Sequence, residues 1–377
     1  MAAVAFYISD HGFGHAARQI EIVNALARRR PGTGILIRTS AARLLFDRTV
    51  NAPFELDDRP CDTGIVQIDS LHLDPDATIA RAREFYATLD ARTATDARLL
   101  HDRGAVLVVA DAPPLGCAAA ARAGIPSVVV SNFTWDWIYQ EYAERLSSAP
   151  GLIRAIHDAY RSARGAYRLP MHGGFDTFES VTDVPFVARH ARRDLTAQDV
   201  RRELGLPADR PLALVSFGAY GVNDLPLERL DCVPAWTIVL TGASAETAGP
   251  VHIIAEQGIY DRGLRYQDLV SAVDAVVTKP GYGIISECIA NETALVYTSR
   301  GRFAEYPVLV REMPNYVRCA YLDQESLMSG HWRAALETAA GAPAPPERPA
   351  TNGAEVVADM IAACLPAAAS SGRPPQP

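Results

Sequence analysis

Residues 105–110 read Ala-Val-Leu-Val-Val-Ala, an apolar run without polar alternation, closed by Asp111. A strand with one solvated face would alternate, so this segment is buried on both faces, the mark of a parallel sheet covered by helices. Residues 4–8, 34–39 and 127–130 read as further strands. Helical spacing runs through 16–29 and 115–123, the latter stopped by Gly124. Strand and helix in turn predict a doubly wound α/β domain.

The alternation lapses around residues 170–200, where Pro170, Gly173, Gly174 and Pro185 fall, and then restarts. Strands at 212–217, 237–241, 275–278 and 294–298, with a helix at 284–290, predict a second sheet of the same kind. A chain of 377 residues is longer than one core usually serves. The expectation is two Rossmann-like doubly wound parallel-sheet domains, 1–190 and 191–340. Residues 341–377 read as a Pro/Ala-rich connector, a last helix at 353–365 and a disordered tail.

A net charge of −8 disfavours a nucleic-acid partner. Arg28-Arg29-Arg30 and Arg189-His190-Ala191-Arg192-Arg193 read as solvated charge at helix ends and linkers. The six cysteines are scattered with no metal-ligand spacing, and Cys117, Cys288 and Cys364 read as small apolar fillers. The amino terminus lacks a basic leader, and no apolar stretch reaches the roughly 18–20 residues that span a bilayer. A cytoplasmic protein without an integral membrane segment is expected.

Two glycine turns carry the chemistry. Ser9-Asp10-His11-Gly12-Phe13-Gly14-His15 joins the first strand to the first helix, where glycine lets a ligand approach the free N–H groups of the helix end. Gly12-x-Gly14-x-x-Ala17 also fits a relaxed dinucleotide fingerprint. Strand two ends in Arg38-Thr39-Ser40, which disfavours NAD and leaves NADP open. His11 and His15 suit a general base or a helix cap equally. Asp111, on the same sheet edge, either orients one of these imidazoles or caps the helix near Leu115.

The second turn, Val277-Thr278-Lys279-Pro280-Gly281-Tyr282-Gly283, leads into a helix carrying Glu287. It offers amides and a cation to a diphosphate, and a carboxylate to a ribose. A less specific turn at Gly218 opens toward the same cleft. Asp74-Pro75-Asp76 reads as a turn or helix start, not a metal site. The aromatic run Phe133, Trp135, Trp137, Tyr139 and Tyr142 suits an acceptor wall and inter-domain packing alike.

Lys279 to Gly283 and Glu287 resemble the donor motif of GT-B glycosyltransferases that use UDP-sugars. That motif reads His-Cys-Gly-Trp-Asn-Ser followed by Glu three residues on. Gly281 and Glu287 match in register, and Tyr282 takes the tryptophan position. Lys279 replaces the histidine, and Gly283-Ile284 replaces Asn-Ser. A closer resemblance is to the glycosyltransferase-like region of plant L-arabinokinases and its stand-alone bacterial relatives. It rests on residues 11–18, 62–70, 131–139, 279–283 and 305–307, in that order.

The resemblance implies GT-B architecture, with an acceptor-side first domain and a nucleotide-sugar-binding second domain facing a central cleft. His15 becomes the base and Asp111 its partner. Gly14, Gly218, Lys279, Gly281, Tyr282, Gly283, Glu287 and Glu305 fall on the donor side, with Glu305 reading the sugar. His11, Asp69, Trp135 and Asp136 fall on the acceptor side. The reading is an inverting transferase that moves a sugar from a UDP-type donor to a small-molecule or glycan acceptor. It expects no metal or other cofactor and is compatible with a homodimer. A nucleotide-sugar binding protein without transfer activity, and a UDP-sugar 2-epimerase, are the alternatives.

Overall fold

The computed structural model describes residues 2–366 apart from 219–220, 234 and 249–250. The first of two seven-stranded sheets holds β1 (Ala3–Ile8), β2 (Gly34–Arg38), β3 (Glu55–Asp57), β4 (Ala105–Asp111), β5 (Ser127–Phe133), β6 (Ala166–Gly173) and β7 (Val181–Asp183). Their order is β3-β2-β1-β4-β5-β6-β7, every pair parallel. The second sheet holds β8 (Leu212–Val215), β9 (Thr237–Gly242), β10 (Glu246–Ala248), β11 (Val251–Ala255), β12 (Ala275–Thr278), β13 (Ala294–Tyr297) and β14 (Cys319–Tyr321). Their order is β10-β11-β9-β8-β12-β13-β14, and only β10 runs antiparallel to its neighbour.

Both orders reverse direction once, between β1 and β4 and again between β8 and β12. At such a reversal the connecting helices leave to opposite faces, and a crevice opens at the carboxyl ends of the strands. In the first sheet β1 and β4 finish level, with Ile8 paired to Asp111. The loop after β1 and the carboxylate ending β4 therefore share one crevice. In the second sheet the turns after β8 and β12 do the same.

All residues of β1 and β5 are buried, as a sheet covered on both faces requires. The helix Phe13–Arg29 starts at Gly12, whose φ of 89° and ψ of 164° suit glycine alone. Asp74 caps the helix Pro75–Ala87, its side chain accepting from the Ala77 amide.

The carboxyl-terminal segment differs from its sequence reading. Residues between 342 and 352 are tied down: the Phe186 amide donates to the Ala350 carbonyl, and Val187 bridges Asn352. The helix Gly353–Cys364 then packs on the helix Phe13–Arg29 of the first domain through Val357, Ala358 and Ile361. Arg28 and Arg29, read as solvated, pair with Glu355 and Asp359 of that helix. Its apolar stripe demands a partner, and the first helix supplies one. Of the expected disordered tail, 366–377, all but Pro366 lies outside the described residues. Among the described residues no helix is long and apolar enough to cross a membrane.

Candidate active site between the two domains

The two glycine turns meet. A Cβ placed on Gly283 would lie 3.0 Å from the Gly14 Cα, so the backbones of the two domains touch there. Each turn opens a helix, Phe13–Arg29 or Tyr282–Ala290, and neither Gly12 nor Gly281 offers a side chain to cap it. The first N–H groups of both helices thus converge without a side-chain acceptor. Each helix end carries the equivalent of about half a positive charge.

On the first domain's side the charges are paired. His15 Nδ1 lies 3.0 Å from Asp111 Oδ1. The helix Pro114–Ala123 receives no side-chain cap, so Asp111 serves the imidazole instead. A residue the sequence reading passed over completes the group. Arg18 is buried, donates from Nε to Asp111 Oδ2 at 2.7 Å, and also bonds Asp111 Oδ1 through Nη2. Arg18 further donates to Asn132 Oδ1 at 2.6 Å and to Ser131 Oγ at 3.2 Å. Burial pushes the Asp111 carboxyl up, but the charges of Arg18 and His15 prevail and hold it at about 2. An ionised Asp111 can only accept, so it favours the proton on His15 Nδ1 and leaves Nε2 as the basic nitrogen.

His11 is a different kind of histidine. Its Nδ1 accepts from the Ile65 amide at 3.2 Å. Burial, then the charges of His15, Arg300 and Lys279, hold it well below the usual histidine range, so it is neutral. Gly64, at φ 59°, brings the loop onto this ring, and a Cβ there would come within 2.8 Å of Nδ1. Of the two histidines, only His15 has the carboxylate partner of a base.

On the second domain's side the cations are poorly matched. Lys279 Nζ donates to the neutral amide of Gln67 at 3.2 Å. Burial, then the Arg300 charge, bring its ammonium down to about 7. Arg300, also passed over in the sequence, is 4% exposed. It donates to the Pro280 carbonyl at 3.2 Å, stands 4.0 Å from Glu305 Oε2, and among the described residues has no partner for Nε. Its guanidinium covers the Phe303 ring at 4.0 Å. Glu305 Oε1 accepts from Asn132 Nδ2 at 2.7 Å, across the domain boundary.

The other expected residues are spread around this centre. Gly218, at φ 75°, lies in a turn onto which Ser70 docks, its amide bonding the Gly221 carbonyl at 3.0 Å. Asp69 folds its own loop, accepting from the amides of Leu71 and His72. Tyr282 stacks on Phe186, and its hydroxyl accepts from the Val187 amide at 3.2 Å. Glu287 Oε1 accepts from Arg189 Nε at 2.7 Å, while its buried Oε2 has no partner. Arg189, read as solvated linker charge, is thus partly buried in an ion pair.

Trp135 is fully buried, stacked on Tyr139 and edge-on to His11. Its indole N–H donates to Asp62 Oδ2 at 2.8 Å, and burial, then Asp10, push the Asp62 carboxyl up to about 8. Asp136 turns to His157 at 2.9 Å. Trp135 thus lies against the histidine loop, and Asp136 faces away from it toward His157. His11, His15, Asp111, Gly14, Lys279, Gly281, Gly283 and Glu305 come together. Tyr282 and Glu287 bind the inter-domain linker.

This architecture is that of the GT-B glycosyltransferases. The calicheamicin glycosyltransferase aligns over 97% of this chain and 98% of its own, with a TM-score of 0.60 and 18% identity. No family model matches the chain. Among curated relatives, the L-arabinokinase of Arabidopsis thaliana is 31% identical over 363 residues, covering 95% of this chain and 34% of the kinase. The UDP-N-acetylglucosamine--N-acetylmuramyl-(pentapeptide) pyrophosphoryl-undecaprenol N-acetylglucosamine transferase of Clavibacter sepedonicus is 27% identical over 215 residues, 53% of each chain. The chain therefore spans about a third to a half of these relatives' lengths.

Proposed function

We propose that the protein transfers a sugar, with inversion, from a nucleotide-diphosphate donor to an acceptor hydroxyl. One observation carries this reading: two uncapped helix ends from separate domains meet at Gly14 and Gly283, beside the half-buried Lys279 and the buried Arg300. An anion with two phosphates matches that concentration of positive charge. A UDP-linked donor is favoured by the name of the Clavibacter relative and by the register of Gly281 and Glu287. Glu287 Oε2 is buried and accepts a ribose hydroxyl only once uncovered, and Glu305 Oε2 accepts a hydroxyl of the sugar.

Transfer then needs one proton moved. His15 Nε2 takes the proton of the acceptor hydroxyl as its oxygen bonds the anomeric carbon from the face opposite the diphosphate. The bond between that carbon and the phosphate oxygen breaks, and its electron pair leaves with the nucleoside diphosphate. Charge grows on the departing phosphate, where the helix ends, Lys279 and Arg300 act most strongly.

A thermal-shift screen of nucleoside diphosphates and nucleotide sugars tests the reading. A ligand at 100 times its Kd adds about 2.7 kcal/mol of stability. No shift with any uridine, guanosine, adenosine or thymidine diphosphate would refute it. Binding without transfer to a broad acceptor panel places the chain among nucleotide-sugar binders. Epimerisation without acceptor makes it an isomerase.

A further inference from the structure

We infer that Asn132 is a positioning residue that ties the placement of His15 to the second domain through Glu305. The inference rests on His15 being the base, and it adds a link that base needs. Asn132 sits near the carboxyl end of β5 and is fully buried. Its Oδ1 accepts from Arg18 Nη1 at 2.6 Å, and its Nδ2 donates to Glu305 Oε1 at 2.7 Å. The amide's orientation follows from its partners, since a guanidinium only donates and a carboxylate only accepts.

The chain of contacts is continuous. Glu305 holds Asn132, Asn132 and Ser131 hold Arg18, Arg18 grips both oxygens of Asp111, and Asp111 Oδ1 faces His15 Nδ1. The groups facing His15 are Asp111 and Arg18, the His11 ring at 6.5 Å and the Phe133 ring at 5.4 Å. Asp111, an acceptor, favours the Nδ1-protonated form, while Arg18 Nη2, 3.0 Å from Nδ1, directs its two hydrogens to Asp111 Oδ1 and Ser131 Oγ.

Few side chains can take the place of Asn132. Aspartate would set a second carboxylate against Glu305. Alanine would leave Arg18 Nη1 and Glu305 Oε1 buried without that partner. Serine is too short to serve both.

The link has a consequence for transfer. Glu305 Oε1 is bound to Asn132, while Oε2 stands 4.0 Å from Arg300 and is free to take a sugar hydroxyl. A sugar bound at Glu305 Oε2 therefore touches the same carboxylate that, through Asn132 and Arg18, holds the base's partner Asp111.

The test reads the tautomer of His15 directly, without any substrate. The full chain is labelled with nitrogen-15 at histidine, and the ring signals of His15 are assigned by their loss in His15→Gln. Wild type is expected to show the Nδ1-protonated form. Glu305→Ala, in the other domain, shifts the signals toward the mixed-tautomer average. Glu305→Gln, whose amide oxygen still accepts, stays near wild type. Asn132→Ala shifts them as Glu305→Ala does, and the double variant goes no further. If Asn132→Ala does not fold, Asn132→Ser replaces it.

Unchanged signals in Glu305→Ala, or shifts that add in the double variant, overturn the inference. The underlying reading fails separately. Full turnover in His15→Ala would remove His15 as base whatever the tautomer measurement gives.

Discussion

The two glycine turns that meet at Gly14 and Gly283 each open a helix without a side-chain cap, and they are opposite in electrostatics. Behind the first, a buried arginine has its counter-charge: Arg18 takes both oxygens of Asp111, and Asn132 and Ser131 satisfy further donors. Behind the second, a buried arginine has little: Arg300 reaches a carbonyl, stands 4.0 Å from Glu305 and leaves Nε unpaired. Desolvating a cation costs several kcal/mol, which a close carboxylate can offset and one at 4.0 Å offsets only in part. On the proposed function, the first side fixes a base and the second holds charge in advance for an anionic donor.

That contrast can be attacked from either side. The largest effect is expected at the base: His15→Ala lowers turnover roughly 10²–10⁴-fold while donor affinity, measured by calorimetry, stays within a few-fold. Equal losses in both would make His15 a donor ligand instead.

Next come the two arginine environments, compared by denaturant unfolding. Asp111→Ala strands Arg18 without a counter-charge and costs about 3–5 kcal/mol. Arg300→Met, by contrast, removes an under-paired cation, so unliganded stability is kept or raised. The same variant loses about tenfold or more in affinity for UDP. A heavy loss of stability in Arg300→Met would mean that its pairing is already complete.

A smaller effect follows from Lys279. Its ammonium is held down at about 7 by burial and the neighbouring Arg300 charge. An arriving diphosphate favours the charged form and raises that value, so binding takes up a proton above pH 7. Affinity for a UDP-sugar should therefore fall as pH rises from about 7 toward 9, by at most about tenfold per unit. Calorimetry in buffers of different ionisation heat counts the proton, and Lys279→Met should flatten the profile. A flat profile in the unaltered protein would take Lys279 off the diphosphate.

What the sequence made legible and what it hid follow the same physics. Strands buried on both faces announce themselves as apolar runs, and β1, β4 and β12 lie where those runs are. Strands near the sheet edges do not. β6, Ala-Tyr-Arg-Leu-Pro-Met-His-Gly, carries Pro170 and polar side chains and read as a break. Gly173, taken there as a sign of irregular chain, makes room for Trp137, whose ring lies where a Cβ would stand.

The His15–Asp111 contact was foreseeable because the turn and helix after β1 and the end of β4 share one crevice. Arg18 was not, because an arginine near the start of a helix reads as solvated. Its carboxylate partner stands 93 residues away along the chain. Arg300 was equally silent, since nothing local marks a cation as buried. Arg18 is set by a long-range pair and Arg300 by burial, and sequence pattern is blind to both.

The account turns on where the phosphates of a bound nucleotide lie. A crystal structure with UDP is predicted to place them at the amides of Gly281–Gly283, with Lys279 and Arg300 in contact and His15 Nε2 facing them across the cleft. Phosphates seated away from that turn, or a His15 ring rotated off Asp111 in the complex, would contradict it.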